Sequence, residues 1–131
     1  MDRRERGVWG EHCAAAALAR KGMRIVAQNW RFGRCEIDVV AVDGAWTVFV
    51  EVKVRAAAGP EPSWASVDVR KQARWLRAGE AFLRQHPDVP AAARFDFMWI
   101  SGVPQAFEVH HYRDVLGPMP TPFSPAIFTP Q

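Results

Sequence analysis

Cysteine is scarce in this sequence and long apolar runs are missing, and each absence excludes a class of protein. Cys13 and Cys35 are the only two thiols. They form no CxxC pair and nothing completes a four-ligand zinc set, so neither a disulfide scaffold nor a closed zinc module is encoded. Neither thiol has a histidine placed to activate it, which leaves nucleophilic cysteine catalysis without support. No segment approaches the roughly 20 apolar residues of a membrane span. The opening MDRRERGVWGEHC is charged from its second residue and lacks the apolar stretch of a secretory signal. The expectation is a soluble, cytoplasmic chain with no membrane partner. His110 and His111 are adjacent in a strand-like run, where alternation sends them to opposite faces, so they do not make a metal pair. Internal repeats are lacking too.

What is present is an ordinary globular composition. The 131 residues, 49% hydrophobic and 24% charged, suffice for one α/β core and leave no room for a second full domain. A formal net charge of +3 is compatible with a polyanionic partner without demanding one. Helical spacing of Cys13, Ala14, Ala17, Leu18 and Lys21 predicts a first helix from Asp2 to about Gly22. A short strand or extended connection is expected over Met23 to Trp30. Two alternating runs, CEIDVVAV (Cys35 to Val42) and WTVFVEVKV (Trp46 to Val54), flank Asp43-Gly44, a dipeptide suited to a type I′ hairpin turn. A loop with Gly59, Pro60 and Pro62 precedes a second helix, from about Asp68 to His86, that stops before Pro87. RFDFMWI (Arg94 to Ile100) and AFEVHHY (Ala106 to Tyr112) read as two further strands. The order is α-β-β-β-α-β-β. A domain at residues 1–115 is followed by a tail at residues 116–131 that carries five of the ten prolines and cannot sustain a ladder or a helix.

The hairpin concentrates the chemistry. With Asp43 and Gly44 as the central turn residues, Val42 faces Ala45 and Asp38 faces Phe49. Alternation then puts Glu36, Asp38, Phe49, Glu51 and Lys53 on one face, with Glu51 diagonal to Asp38 at about 7 to 8 Å. Ile37, Val39, Ala41, Val48, Val50, Val52 and Val54 make the opposite face apolar, so one face is expected to be core and the other to carry carboxylates and a lysine. Two carboxylates close together on rigid strands repel unless a cation lies between them, and a hard divalent ion, Mg2+ or Mn2+, prefers such oxygen ligands. Lys53 beside that ion suits stabilisation of charge on a phosphate. The same pattern also describes a solvated hairpin face of alternating charge, and the residues alone leave both readings open. Glu11 lies in line with Ala14, Ala15 and Leu18 on the first helix, so it needs either a basic partner or the same cation. On the second helix Arg70, Arg74, Arg77 and Arg84 follow one side, while Val69, Ala73, Leu76 and Leu83 mark another. The basic side is either a solvated face or, with Arg55 and Lys71, a stripe that tracks phosphates. Trp30 and Trp64, on loops, are candidates for stacking a nucleobase.

The segments GVWGEHCAAAALARKGMRIVAQNWR, EIDVVAVDG, VFVEVKVR, SVDVRKQARWL and RFDF, in that order and with these gaps, resemble the YraN family of bacterial proteins. That family is similar to the Holliday-junction-resolvase branch of the PD-(D/E)xK nuclease superfamily, and the resemblance covers roughly residues 7 to 100. It implies a restriction-endonuclease-like α/β core, a central mixed β-sheet flanked by helices. It implies Glu11 as the helix glutamate, Asp38 as the first metal aspartate and Glu51 and Lys53 as the E-x-K pair, with Asp38 and Glu51 holding Mg2+ or Mn2+. Glu36, Arg55 and Lys71 fall at the site's edge, and Arg55, Arg70, Lys71, Arg74 and Arg77 become the expected DNA contacts. Branched or junction DNA is the implied substrate and a two-fold homodimer the implied assembly. Where the family has glycine before EID this chain has Cys35, which adds a side chain where backbone bends or approaches DNA. Two functions are therefore carried forward: a metal-dependent, structure-selective DNA endonuclease, and a non-catalytic DNA-binding adaptor that keeps the nuclease fold. A protein-interaction domain without nucleic acid is a third.

Overall fold

The computed structural model describes residues 1–59, 61 and 68–116. The first helix, α1, spans Arg3–Arg20. It starts where the Asp2 carboxylate accepts from the Glu5 N–H at 2.8 Å and the Glu5 carboxylate accepts from the Asp2 N–H at 3.0 Å, a reciprocal cap of the first turn. It ends where Gly22 takes φ 91° and turns the chain back so that the Met23 N–H reaches the Leu18 carbonyl. Strands β1 (Arg24–Phe32), β2 (Cys35–Asp43) and β3 (Trp46–Arg55) follow, then α2 (Val69–Gln85), β4 (Ala93–Val103) and β5 (Ala106–Tyr112). The five strands lie side by side in chain order. Neighbours are antiparallel except β3 and β4, which are parallel, and α2 is the crossover that a parallel pair requires. The expected order and restriction-endonuclease-like α/β architecture are both present. Among the described residues no helix is long and apolar enough to cross a membrane. The Pro-rich stretch from 117 to 131 and Trp64 lie outside the described residues.

Helices cover both faces of the sheet. α1 lays Ala14, Ala17 and Leu18 on Val39, Ala41, Val48, Val50 and Met98; α2 lays Trp75, Ala78 and Phe82 on Ile37, Val40, Phe49 and Phe95. The β2–β3 hairpin is thus core on two sides rather than one, with Val40 and Phe49 fully buried. A strand whose neighbours lead into and out of a crossover helix has no free face to spare. The buried stripe of α2 is Trp75, Ala78, Gly79, Ala81 and Phe82, not the line through Val69, Leu76 and Leu83. Val69 is 77% exposed, and Leu76 and Leu83 only flank the core. Small residues between two large aromatic ones let the helix axis approach the sheet, which outweighs the hydrophobicity of the leucines.

The hairpin register differs from the expectation. Val39 pairs with Val50 and Asp43 with Trp46, so Gly44 and Ala45 form the turn. Of these two only Gly44 has positive φ, 58°, which belongs to a type II′ turn and not to type I′. Asp43 remains in the strand because its carboxylate has distant partners, Arg94 at 3.0 Å and Arg113 at 2.7 Å. Arg94 is 1% exposed and also binds Asp96 at 3.1 Å, while His111 reaches the other Asp96 oxygen at 2.8 Å. Burial works to raise the Asp96 carboxyl, but His111, Arg94 and the Asp114 N–H together hold it below the ordinary value. This network locks β2, β4 and β5 together at one end of the sheet. Moving each partner by two residues preserves the faces of the paired residues, and continuing the corrected register by one pair sets Asp38 toward Glu51 instead of Phe49. Ile37, expected on the face of Val39, lies instead in the α2 core with Val40, so the alternation breaks at Asp38.

Gly10 is where α1 comes close to the sheet, since a Cβ there would overlap a methyl of Val54 and lie in ordinary contact with Ile100. Gly10→Ala is expected to reduce the unfolding free energy by about 1–3 kcal/mol, seen as a lower urea midpoint at unchanged slope. An unchanged midpoint would mean that α1 does not pack this tightly.

Candidate metal and nucleic-acid site

The β2–β3 ladder runs from the turn as far as Val39 and Val50. At Asp38 the side chain takes over from the backbone, its Oδ2 accepting the Val52 N–H at 2.8 Å. The carboxylate is therefore fixed to β3 and is itself buried, with Asp38 8% exposed. Burial, and next the charge of Glu51 beside it, push the Asp38 carboxyl up to about 9, against the pull of the Val52 N–H. A solvated charged face does not describe this residue. Glu51 lies on β3 with its Oε2 at 3.3 Å from the Lys53 Nζ.

From the other side α1 brings Glu11. The carboxylate oxygens of Glu11, Glu36 and Asp38 all lie within 4.8 Å of one another. Burial raises the Glu11 carboxyl; a hydrogen bond from Asn29 opposes this, and Glu36 adds to it. Of the two partners considered for Glu11, a basic side chain and a shared ion, the structure brings it carboxylates. Among the described residues the cations paired with this cluster sit at its rim: Lys53 on Glu51, and Arg31 on Glu36 at 3.2 Å. An all-oxygen, surplus-negative donor set suits a hard divalent ion. Cys35 is not a competing soft ligand, because burial first, and Glu51 second, push its thiol up to about 11, leaving it protonated. It fills core beneath α2 and also lines the cleft onto which the carboxylates open.

Sequence reasoning missed Asn29. It lies in β1, at φ 54°, between Gln28 paired with Val39 and Trp30 paired with Ile37, hence level with Asp38. Asparagine tolerates this left-handed conformation better than other residues with a side chain, and a polar Asn within a strand-forming run was the available signal. Trp30, expected on a loop, is instead within β1 and set edge-on against Phe82 at 5.2 Å.

Four of the five expected DNA-binding residues, Arg55, Lys71, Arg74 and Arg77, divide among three clefts. Lys71 and Arg74 line the carboxylate cleft, of about 270 Å³, together with Lys53; the Lys71 ammonium lies 5.2 Å from the centre of the Trp75 ring. Arg77 lines the neighbouring cleft, again with Arg74. Arg55 lies across β3, where Arg3, Arg6, Glu11 and Lys53 line a wider cleft of about 620 Å³. Arg70 stands apart, exposed in the first turn of α2. Arg84 is taken by Glu80 at 2.6 Å. Arg3, Arg6 and Arg34 were not singled out by the sequence, since only the tertiary fold brings them to the site.

The model of the uncharacterised protein family UPF0102 matches residues 10–100. The chain belongs to the UPF0102 family. It is 43% identical over 113 residues to the UPF0102 protein of Halorhodospira halophila, covering 86% of this chain and 88% of that one. It is 46% identical over 90 residues to the UPF0102 protein of Chlorobaculum tepidum, 69% of this chain and 70% of the other. With the Lawsonia intracellularis member it shares 36% over 111 residues, 85% and 84% of the two chains. The YraN resemblance is thereby established, and UPF0102 is a PD-(D/E)xK nuclease-like family. The matched span contains Glu11, Asn29, Asp38, Glu51 and Lys53 and excludes Arg3, Arg6 and β5.

Asp38 holds its proton up to about pH 9 in the metal-free fold, against an ordinary value of 3.8. The folded state therefore binds more protons than the unfolded state between those values, and Asp38's contribution to stability declines as pH rises through that window. In metal-free buffer, thermal melts should show Asp38→Asn gaining on wild type steadily from pH 5 to pH 9. A difference that does not change with pH would contradict the burial and crowding described for Asp38.

Proposed function

We propose that the chain is a metal-dependent DNA endonuclease that hydrolyses phosphodiester bonds in branched or junction DNA. The observation that carries this reading is a buried aspartate crowded by three other carboxylates, beside a lysine and at the floor of a basic cleft. Such a cluster destabilises the metal-free fold, so its presence is better explained by chemistry than by packing. Asp38 and Glu51 are the principal holders of Mg2+ or Mn2+, with Glu11 and Glu36 within reach of the same centre. The ion, when bound, activates water and offsets charge on the phosphate.

The remaining work falls to the chain's own groups. The Val52 N–H keeps the Asp38 carboxylate oriented once it has given up its proton. Asn29 holds Glu11 toward the centre as an accessory carboxylate. Lys53, restrained by Glu51, presents its ammonium to both clefts it borders, where it stabilises negative charge on the reacting phosphate. Lys71 and Arg74 hold neighbouring phosphates without reading sequence. Two copies related by a two-fold axis would present two such centres to two strands.

Labelled four-way junction, flap, single strand and plain duplex, each incubated with Mg2+ or Mn2+, test this reading. Wild type is expected to cut the branched substrates, Lys53→Ala to lose about 100-fold or more, and Asp38→Ala to lose cutting while keeping its fold. Undiminished cutting by Asp38→Ala overturns the mechanism. Junction binding by all three proteins with no cutting by any makes the chain a non-catalytic adaptor.

A further inference from the structure

Beside the carboxylate cleft lies a second one, of about 270 Å³, lined by Phe32, Gly33, Arg34, Cys35, Arg74 and Arg77. Arg34, Cys35 and Arg74 line both, so the two are continuous. Phe32 ends β1 and is 39% exposed, whereas Phe49, Phe82 and Phe95 are buried. Its ring is parallel to that of Trp30, centroids 6.3 Å apart and planes 3° from coplanar. Trp30 in turn is set edge-on by Phe82 and by His86. The plane of the exposed ring is thus held by the core before anything binds, which reduces the entropy lost on stacking. Gly33, at φ 60°, turns the chain with open space where a side chain would stand. Among the described residues Arg34, Arg74 and Arg77 form no ion pair, and no carboxylate lines this second cleft, so its charged lining is three guanidinium groups.

We infer that this cleft receives an unpaired nucleotide next to the bond being cut, its base stacked on Phe32 and the adjoining phosphates on Arg34, Arg74 and Arg77. The inference deepens the nuclease reading and rests on it. An aromatic face among guanidinium groups is the chemistry of single-strand binding, because each base offers a π-face only when it is unstacked from its neighbours. A paired base within a continuous helix has both faces covered and cannot lie on Phe32. The substrate class that follows is DNA with a single-stranded segment abutting the site, such as a flap or an opened junction arm, in preference to continuous duplex.

Fluorescence anisotropy with Ca2+ in place of Mg2+ measures binding of a labelled single strand, a flap and a blunt duplex to wild type, Phe32→Leu and Phe32→Trp, with melting temperatures recorded for all three. Wild type should favour the single strand and the flap. Phe32→Leu should lose about fivefold or more on those two ligands with duplex binding and melting temperature unchanged, and Phe32→Trp should restore the preference. Equal affinity of wild type for single strand and duplex, or no change in Phe32→Leu, overturns this inference and leaves the nuclease reading intact if cutting persists. No binding of any DNA by wild type overturns both.

Discussion

The hydrogen bond from the Val52 N–H to the Asp38 carboxylate is the constraint on which the site depends. It occupies the place where the next backbone pair of the β2–β3 ladder would form, and it holds a charged group where solvent scarcely reaches. A free aspartate at a strand end would turn to water and leave the neighbouring carboxylates apart. Pinned as it is, Asp38 has Glu51 on one side and Glu11 and Glu36 on the other. Electrostatic repulsion in this arrangement is relieved in two ways, by retaining a proton or by admitting a cation. The same geometry that raises the Asp38 carboxyl would favour a cation that displaced its proton.

That geometry survives because the surrounding fold is rigid. Helices on both sides of the hairpin leave β2 and β3 no freedom to twist away from one another. At the far end, Asp43, Arg94, Asp96 and His111 form a hydrogen-bonded network around the buried Arg94–Asp96 pair that stops the strands from sliding, and a slip by one residue would separate Asp38 and Glu51 onto opposite faces. Close approach of α1 at Gly10 places the next residue, Glu11, beside the strands. Stability is invested at the closed end and in the two helix interfaces, while the open end carries the mutually repelling groups.

Much of this was legible in the sequence, and the misreadings have physical causes. Period-two alternation placed Asp38, Glu51 and Lys53 together, and it did so despite a wrong register, because the error moved partners by two. Asp43-Gly44 pointed to a type I′ turn; local turn chemistry was overridden by Asp43's pairing with Arg94 and Arg113, residues some 50 and 70 positions away. On α2 the eye goes to Val69, Leu76 and Leu83, yet alanine and glycine between Trp75 and Phe82 define the interface, since close approach counts for more there than side-chain size. Arg34 and Phe32 had no local pattern to announce them, and Asn29 had only its polarity within a strand-forming run. Their roles arise from a left-handed residue, a hairpin end and a neighbouring helix meeting in space.

The most direct test of the central claim, that buried Asp38 is the protonated heart of a cation site, is calorimetric titration of the metal-free chain with Mn2+ near pH 8 in buffers of different ionisation enthalpy. Saturable binding with release of about one proton per ion is predicted for wild type, with that proton absent for Asp38→Asn. Binding without proton release, or equal proton release from the variant, would contradict the account.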